Sequence, residues 1–303
     1  MRADDLPPLP DGATTLVVLP DTERYADRYP HFLDAQLAWI AASAAERRIA
    51  CAMHLGDITQ NNLPVEWARV RRAYDRLGGQ VPFTLLPGNH DYSGGRETSR
   101  LSEYFPVAEA ARQSGFGGVC ETGRLDNSFH FCTLAGRSWI LLSLEFAPRA
   151  SVVDWAGRVL DAHADRPAIV VTHAYLFRDG TRFAAGTGQR ACPEGAAHDA
   201  FDGEDLWRTL IRSRSNIQIV LSGHVATGGL AYRASPGERG NVVHELMVNY
   251  EKMRGGGMAF LRLLEFLPDR RTVQVRTYSP HLRETRTTPE ESFALVLQEA
   301  PSR

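Results

Sequence analysis

Short apolar segments alternate along most of the chain with polar turns and with stretches of helical periodicity. The apolar segments are nearly continuous, which is typical of strands covered on both faces. They occupy residues 15–19, 49–55, 82–86, 139–144, 168–171 and 217–221. Residues 32–48 and 64–77 place apolar side chains at helical spacing. Strands that alternate with helices predict an α/β layered fold.

The last third of the chain has a different pattern. Residues 241–249, 258–266 and 272–278 follow one another as predicted strands, separated by breaks that contain Gly or Pro. This order predicts a second, more antiparallel sheet packed on the first. We therefore expect an N-terminal extension of residues 1–14, followed by one domain of residues 15–303 in which two packed sheets have helices outside.

Polar residues follow five of the apolar segments directly. A lone Asp after a strand is commonly a helix cap, and a lone His is commonly structural. In open α/β sheets, however, ligands bind outside the carboxyl ends of the strands. The polar residues therefore predict one shared site, to which the strand ends contribute Asp21 and Glu23, then Asp57, then Asn89, His90 and Asp91, then His173, and then His224.

The ligand types in this set indicate the kind of metal. Carboxylate, amide oxygen and imidazole without thiolate favour manganese, iron or zinc.

Four cysteines are too few for a disulfide framework in a chain of 303 residues. Cys51 is predicted to be a buried hydrophobic residue. Cys120 and Cys132 flank a predicted hairpin at residues 121–131, and the sequence leaves open whether they pair.

The same residues carry a family resemblance. Their order, with Gly56-Asp57, Gly88-Asn89-His90-Asp91 and Gly223-His224, resembles the calcineurin-like metallophosphoesterase superfamily. The resemblance spans about residues 15 to 280. One bacterial branch has Asp-Thr-Gln or Asp-Thr-Glu in its first motif and lacks the second His of its last motif; this chain resembles it also at Gly240-Asn241, Asn249-Tyr250 and 277–280. The resemblance implies a four-layer αββα sandwich of two mixed β-sheets, in agreement with the pattern.

The resemblance also implies the roles of the site residues. Two adjacent divalent metals would be bridged by Asp57, with Asn89, His173 and His224 completing the second metal site. His90 would not bind metal; it would donate a proton or stabilise the transition state, oriented by Asp91.

The first metal site departs from the family pattern. The family often has His at the positions of Glu23 and Ala226, so Asp21, Glu23 and Asp57 would hold this metal more weakly than the firmly bound second one. Glu23 favours a harder ion such as Mn²⁺. The polar residues considered for completing the site are His244, Asn249, Tyr250 and Glu251.

The implied function is hydrolysis of a small phosphomonoester or phosphodiester by metal-activated hydroxide. The alternatives are a nucleotide or pyrophosphate hydrolase, and a non-catalytic scaffold that retains the fold. The long loop at 175–201 contains Arg178, Arg182 and Arg190, which are candidates for binding phosphate oxygens. Glu145 and Arg149 are predicted to form a structural ion pair.

The composition and net charge of the chain limit the classes of binding partner that we expect. The chain is 43% apolar and 23% charged with a formal net charge of −2, so it shows no basic surface for nucleic acid and no polybasic membrane patch. No apolar run is long enough to span a bilayer. The first 15 residues lack the apolar core of a signal peptide. We expect a cytoplasmic location, with export as the alternative if a signal precedes this sequence; the oligomeric state is not predicted.

Overall fold

The computed structural model describes residues 6–93, 98–187 and 199–298. The strands of this part of the chain are β1 Thr14–Leu19, β2 Ile49–His54, β3 Phe83–Thr84, β4 Tyr92–Ser93, β5 Thr98–Ser99, β6 Phe116–Val119, β7 Ser128–Leu134, β8 Arg137–Leu144, β9 Ala168–Thr172, β10 Ile217–Ser222, β11 Leu230–Pro236, β12 Val242–Val248, β13 Leu261–Phe266, β14 Thr272–Ser279, β15 Glu284–Arg286 and β16 Phe293–Val296. Its α-helices are α1 Glu23–Asp27, α2 Pro30–Ser43, α3 Pro64–Tyr74, α4 Leu101–Tyr104, α5 Val107–Ala110, α6 Ala150–Ala162 and α7 Gly203–Leu206.

Two mixed sheets form the centre of the molecule. The first has the strand order β15-β14-β13-β1-β2-β3, with β16 also paired to β14, and the second has the order β11-β12-β10-β9-β8-β7-β6. In the first sheet β1, β2 and β3 are parallel, and β13 joins β1 antiparallel. In the second sheet β8, β9, β10 and β12 are parallel, and the strands outside them are antiparallel.

The core explains why the strands are almost continuously apolar. Successive side chains of a strand point to opposite faces. In β1, Leu16 and Val18 pack between the two sheets, whereas Val17 and Leu19 pack under α2 and α3 on the outer face. A third apolar cluster lies between the second sheet and α6. The predicted arrangement of two packed mixed sheets flanked by helices is confirmed.

The prediction that the late strands build a separate sheet is wrong. β12 adds parallel to β10 in the second sheet, whereas β13 and β14 extend the first sheet from β1. The apolar pattern indicates that a strand is buried on both faces, but it does not indicate which strand pairs with it.

Two further predictions, on the cysteines and on membrane spans, can be compared with the structure. The hairpin predicted around residues 121–131 exists as β6 and β7, but Cys120 and Cys132 are free thiols. Cys132 lies opposite Trp139 in the next strand rather than opposite Cys120. Among the helices of the described residues, none has the length and apolar content needed to cross a membrane.

Candidate metal centre

The loops that follow the parallel strands meet at one edge of the two sheets. Asp21 follows β1, Asp57 follows β2, and Asn89 begins a short 3₁₀ turn after β3. His173 and His224 follow β9 and β10 of the other sheet. The carboxyl ends of parallel strands thus deliver the predicted ligands from both sheets to one place.

The His173 imidazole lies at the centre of this group. Its Nδ1 donates a hydrogen bond to the Leu55 carbonyl at 2.9 Å, which directs Nε2 to the other ligands. Within 3.2 Å of Nε2 lie Asp57 Oδ2 at 3.0 Å, Asn89 Oδ1 at 3.1 Å and His224 Nδ1 at 3.2 Å. The bond to a backbone carbonyl sets the tautomer in which Nε2 offers a lone pair to a metal.

This spacing fits a transition metal ion. Metal–ligand bonds of about 2.0–2.3 Å place the ligand atoms of a tetrahedral ion roughly 3.3–3.8 Å apart. The separations from His173 Nε2 are only a few tenths of an ångström shorter, so a small outward shift admits the ion. Two nitrogens and two oxygens form a donor set of the kind that zinc, iron and manganese accept.

The electrostatics of the cluster favour positive charge at its centre. Burial by itself lowers the pKa of His173, but the carboxylates of Asp57 and Asp21 raise it to about 9. Burial raises the pKa of Asp57, yet His173 outweighs this effect and holds that pKa well below its ordinary value. Burial, together with the charge of His173, lowers the pKa of His224 to about 3.

The backbone is strained at two of the ligands. Asp57 has φ +47° and His224 has φ +71°, in the left-handed region that residues with a side chain seldom adopt. Such conformations cost about 1–3 kcal/mol and concentrate at functional sites. Both residues lie in the first turn after a strand, where this conformation directs the side chain toward the cluster.

Two glycines allow the loops to approach each other. A Cβ on Gly88 would lie 2.2 Å from the backbone nitrogen and Oδ1 of Asp57. A Cβ on Gly223 would lie 2.2 Å from Asp21 Oδ1. A larger residue at either position would therefore displace a ligand.

His90 lies beside the cluster with its ring partly exposed. Its backbone nitrogen donates to Asp57 Oδ1 at 2.9 Å, and its Nδ1 lies 2.8 Å from the Gln60 carbonyl oxygen. Its Nε2 faces Glu23 Oε2 at 3.5 Å. Gln60, which the sequence reading missed, therefore orients the ring. The signal for it was its place three residues after Asp57 in the same turn.

The predicted role of Asp91 is wrong. Its buried carboxylate accepts hydrogen bonds from Ile58 N at 2.9 Å, Thr59 N at 2.7 Å, Thr59 Oγ1 at 2.8 Å and Gly88 N at 2.9 Å. These bonds connect the Asp57 turn to the Gly88 turn, whereas the His90 ring is oriented by Gln60. Asp91 therefore holds the loops that carry the ligands and does not orient His90.

Carboxylates dominate the place expected for the first metal. Asp21 Oδ2 accepts from Asn249 Nδ2 at 2.6 Å and from His224 N at 3.1 Å. Its Oδ1 and the Oε2 of Glu23 are buried and accept no hydrogen bond. Burial, followed by a hydrogen bond with the Glu251 carboxyl, raises the pKa of Glu23 to about 11. A cation in contact with these oxygens would remove the cost of burying them without a partner.

Comparison with known proteins decides the family. Residues 16–228 match the sequence profile of the calcineurin-like phosphoesterases. The chain belongs to this family. Members of the family use divalent metal ions to hydrolyse phosphoesters, and the side chains above are the candidate ligands.

One relative is similar to nearly the whole of this chain. The chain is 28% identical over 291 residues to the uncharacterized protein YvnB of Bacillus subtilis strain 168, an alignment that covers 93% of this chain and 21% of YvnB. This chain therefore spans about a fifth of the length of that relative.

Two solved structures share the fold. The purple acid phosphatase PPD1 from yellow lupin seeds matches with a TM-score of 0.56 and 13% identity, over 94% of this chain and 54% of that one. GAP50, described as the anchor in the inner membrane complex of Plasmodium, matches with a TM-score of 0.51 and 12% identity, over 95% of this chain and 90% of its own. At these identities the likeness concerns the fold alone.

The remaining candidate residues divide into two groups. Asn249 lies at the site, where its side chain donates a hydrogen bond to Asp21. Glu251 also lies there and interacts with Glu23. His244 and Tyr250 do not complete it, contrary to one expectation. The ring nitrogens of His244 contact Tyr232 Oη at 2.9 Å and the Val296 carbonyl at 3.2 Å, and Tyr250 Oη contacts Thr277 Oγ1 at 2.9 Å.

Of the arginines in the long loop, Arg182 differs from expectation. The Arg182 guanidinium is buried, forms a bidentate pair with Glu245 at 2.6 and 2.8 Å, and bonds Glu204 at 3.1 Å. It is therefore a structural group and not a phosphate ligand. Arg178 lies over the Phe177 ring at 5.2 Å and lines a cavity of about 550 Å³. Arg190 lies outside the described residues.

Two structural groups near the site complete the picture. Arg149 pairs with Glu145 at 2.8 Å, as predicted. The Phe146 ring packs against both ligand histidines, with its centroid 5.8 Å from that of His173 and 5.7 Å from that of His224. The sequence reading missed this residue, whose only signal was its place directly after a predicted strand.

Proposed function

We propose that this chain hydrolyses phosphoesters of small substrates with divalent metal ions held by two groups of side chains that share Asp57. Asn89, His173 and His224 form one group with it, and Asp21 and Glu23 the other. The observation that carries the proposal is the meeting of three ligand atoms from the two sheets around a fourth, His173 Nε2, at 3.0–3.2 Å. Two overlapping sets of possible ligand atoms lie within 4.8 Å of one another: Asp57 with His173 and His224, and Asp57 with Glu23 and His90. Asp57 is common to both sets.

The chain's own residues have separable roles in this reaction. Divalent ions bound here supply positive charge for the phosphoryl oxygens and lower the pKa of water toward neutrality. Asp57 is suited to the shared position because its Oδ2 faces His173 while its Oδ1 holds the backbone of His90. With Nδ1 bonded to the Gln60 carbonyl, a protonated His90 presents its Nε2–H to the substrate side, where it can stabilise charge or protonate the leaving oxygen.

A cavity beside the site bears on the second candidate substrate class. Its volume is about 480 Å³, and its lining includes the cations Lys252 and Arg286 and the acids Glu290 and Glu291. Lys252 pairs with Glu251 at 3.4 Å and Arg286 with Glu291 at 3.5 Å, so a further phosphate group would compete with these carboxylates for the two cations. The cavity has room for a nucleotide or pyrophosphate, and a hydrolase of that class stays the alternative alongside simple mono- and diesters.

The test combines metal analysis with an activity screen. Metal-depleted protein is titrated with Mn²⁺ and assayed on chromogenic phosphomonoesters, phosphodiesters and nucleoside diphosphates. We expect hydrolysis that depends on Mn²⁺, and a loss of at least about 100-fold in His173→Ala, because even residues that only orient a metal ligand contribute about 10–100-fold. His163→Ala, at the end of α6, is the control and should behave as the wild type.

The outcomes separate the enzyme from the scaffold. Metal binding without turnover of any of the three substrate classes would favour a scaffold, the alternative prompted by Ala226 and Glu23. Failure of the wild type to bind any divalent ion would contradict the proposal itself. Against the scaffold stand the buried unpartnered oxygens of Asp21 and Glu23, since a chain that binds no ion gains nothing from keeping them.

A further inference from the structure

The position of Ala226 leaves one side of the first metal site without a ligand from the last motif. Ala226 offers only a methyl group, and it lines the cavity that also borders Asn249 and Tyr250. These two residues belong to the segment that leaves β12. Glu251, the next residue of that segment, has only 8% of its side chain exposed.

The backbone holds Glu251 beside Asp21. Asn249 Nδ2 donates to Asp21 Oδ2 at 2.6 Å, while Asn249 Oδ1 accepts from Glu251 N at 2.8 Å. The Asn249 backbone nitrogen donates to the Gly229 carbonyl at 2.7 Å. A Cβ on Gly229 would lie 1.8 Å from the Asn249 carbonyl oxygen, so the two loops are in direct contact. One side chain thus links Asp21 and Glu251 at the same point.

The Glu251 carboxyl acts on both acids of the site: it raises the pKa of Glu23, by a hydrogen bond and by its charge, and it raises the pKa of Asp21 by its charge. Buried acids that interact in this way favour a shared proton or a cation between them. Asp21 Oδ1 and Glu23 Oε2, both on residues only 2% exposed, accept no hydrogen bond. The nearby basic groups are His90, 3.5 Å from Glu23 Oε2, Arg24, 3.6 Å from Glu23 Oε1 with 34% of its side chain exposed, and Lys252, 3.4 Å from Glu251 with 56% of its side chain exposed. None of them donates a hydrogen bond to Asp21 Oδ1 or Glu23 Oε2.

We infer that Glu251 is a ligand of the first metal and fills the role for which Ala226 has no side chain. The site then consists of Asp21, Glu23, Asp57 and Glu251, and all its protein ligand atoms are carboxylate oxygens. This inference rests on the proposed function. Glu251 lies outside residues 16–228, which the family profile matches.

An all-carboxylate site has a distinct metal preference. Hard oxygen ligands suit Mg²⁺ and Mn²⁺, whereas the group around His173 contains two imidazoles that suit zinc and iron. The two sites of one chain should therefore differ in selectivity, with the site at Glu251 selecting the harder ion.

The first experiment measures metal binding by calorimetry on metal-free protein, without any assay of activity. We expect wild-type protein to bind Mn²⁺ in two events. Glu251→Gln should weaken one of them by at least about 10–100-fold and leave the other unchanged. Glu290→Gln removes an exposed acid at the rim of the same cavity and is the matched control. Equal Mn²⁺ affinities in the two variants would overturn the inference.

The second experiment uses stability and guards against misfolding of the variant. Metal-free Glu251→Gln should melt at or above the temperature of the metal-free wild type, because one buried acid is removed from a repulsive cluster. Its gain in melting temperature on adding Mn²⁺ should be smaller, since stabilisation by a ligand follows its affinity. If metal-free Glu251→Gln melts at a lower temperature than the wild type, Glu251→Asp is tested as well, because it keeps the charge. Glu251→Asp should bind the first ion more weakly and the second ion as the wild type does. Unchanged binding of both ions, or loss of both, would contradict the role of Glu251.

A third variant distinguishes failure of the inference from failure of the proposed function. His173→Ala should lose the event that survives in Glu251→Gln and keep the other. If His173→Ala loses one ion and Glu251→Gln none, only the assignment of Glu251 fails. If neither change affects binding, the proposed metal centre fails with it. Glu251→His should move the preference of the first site from Mn²⁺ toward Zn²⁺; an unchanged preference would count against Glu251 as a ligand.

Discussion

At the scale of single residues, the centre is organised by hydrogen bonds that set which atom of each ligand faces the metal. His173 Nδ1 donates to the Leu55 carbonyl, so Nε2 faces Asp57. The buried His54 forms hydrogen bonds that connect neighbouring turns. Its Nδ1 accepts from Gly56 N at 3.1 Å, so Nε2 carries the hydrogen and donates to Thr22 Oγ1 at 2.9 Å. Thr22 Oγ1 in turn donates to the Ile58 carbonyl at 3.2 Å, joining the turns that carry Asp21 and Asp57.

His90 gives a prediction at this scale. Replacing it with Asn should lower turnover by about 10²–10⁴-fold, because its proposed role is to donate a proton or stabilise charge. The metal content should stay near that of the wild type, because the ring reaches Glu23 only at 3.5 Å and its backbone bond to Asp57 is kept. Metal analysis and steady-state kinetics on the same preparation measure both quantities. Loss of metal in His90→Asn would show that the ring is a ligand.

Asp91 gives a second prediction. Asp91→Asn replaces one carboxylate oxygen with an NH₂ group that faces backbone N–H donors of Ile58, Thr59 or Gly88. Losing bonds to a buried charged acceptor should lower the free energy of unfolding by roughly 2–4 kcal/mol. Chemical denaturation measures this difference. Asp154→Asn, exposed on α6, should change stability by less than about 0.5 kcal/mol; equal effects of the two changes would show that Asp91 does not hold the loops together.

At the scale of elements, the turns after the strands are tightly packed because the ligands must converge from two sheets. Gly223→Ala tests this packing. Its Cβ would lie 2.2 Å from Asp21 Oδ1, so the Asp21 carboxylate or the turn after β10 must move. We expect Mn²⁺ affinity, measured by calorimetry, to fall by at least about 10-fold, because small displacements of metal ligands are costly.

A matched glycine controls for backbone strain alone. Gly123 has φ +80° and no heavy atom within 4 Å of an added Cβ. Gly123→Ala should therefore cost about 1 kcal/mol of stability through its conformation and leave metal affinity unchanged. Similar affinities of the two alanine variants would mean that the turn at Gly223 has room that the structure does not show.

At the scale of the whole molecule, stability should depend on pH through buried histidines away from the metal centre. His130 lies in β7, and burial lowers its pKa to about 4, whereas an unfolded histidine titrates near 6.5. The unfolded chain therefore binds more protons than the folded one between these values. The stability associated with a neutral His130 is complete above pH 6.5 and is lost as the pH falls toward 4.

Replacing His130 with Phe removes this proton uptake. Each pH unit in the window is worth about 1.4 kcal/mol per proton, so wild-type protein should lose roughly 2 kcal/mol more than His130→Phe between pH 6.5 and pH 5. Denaturant unfolding at the two pH values measures the difference. His281→Gln, at an exposed position, should keep the wild-type dependence. An equal acid loss in wild type and His130→Phe would assign the loss to other groups.

The arrangement of the described strands also bears on domain organisation. Strands that follow residue 228 extend both sheets, and β13 pairs with β1 at the start of the chain. We propose on this ground that residues 15–303 form one domain. The predicted cytoplasmic location stays a prediction.

The sequence by itself determined the strands buried on both faces and the polar residues that follow them. Both are local properties: side chains alternate between faces along a strand, and the residue after a strand lies at the edge of the sheet. This is why Asp21, Asp57, Asn89, His173 and His224 could be placed together before any coordinates were known. The ligand types also follow from residue identity alone.

Only the tertiary structure decided which distant segments meet at that edge. Asn249 contacts Asp21 although the two are 228 positions apart in sequence. Glu251 lies near them because β12, which precedes it, pairs with β10. His244, on the same strand, lies with Tyr232 and Val296, although composition alone made it as good a candidate. Strand partners are chosen by packing between surfaces far apart in sequence, and periodicity along one segment carries no information about that choice.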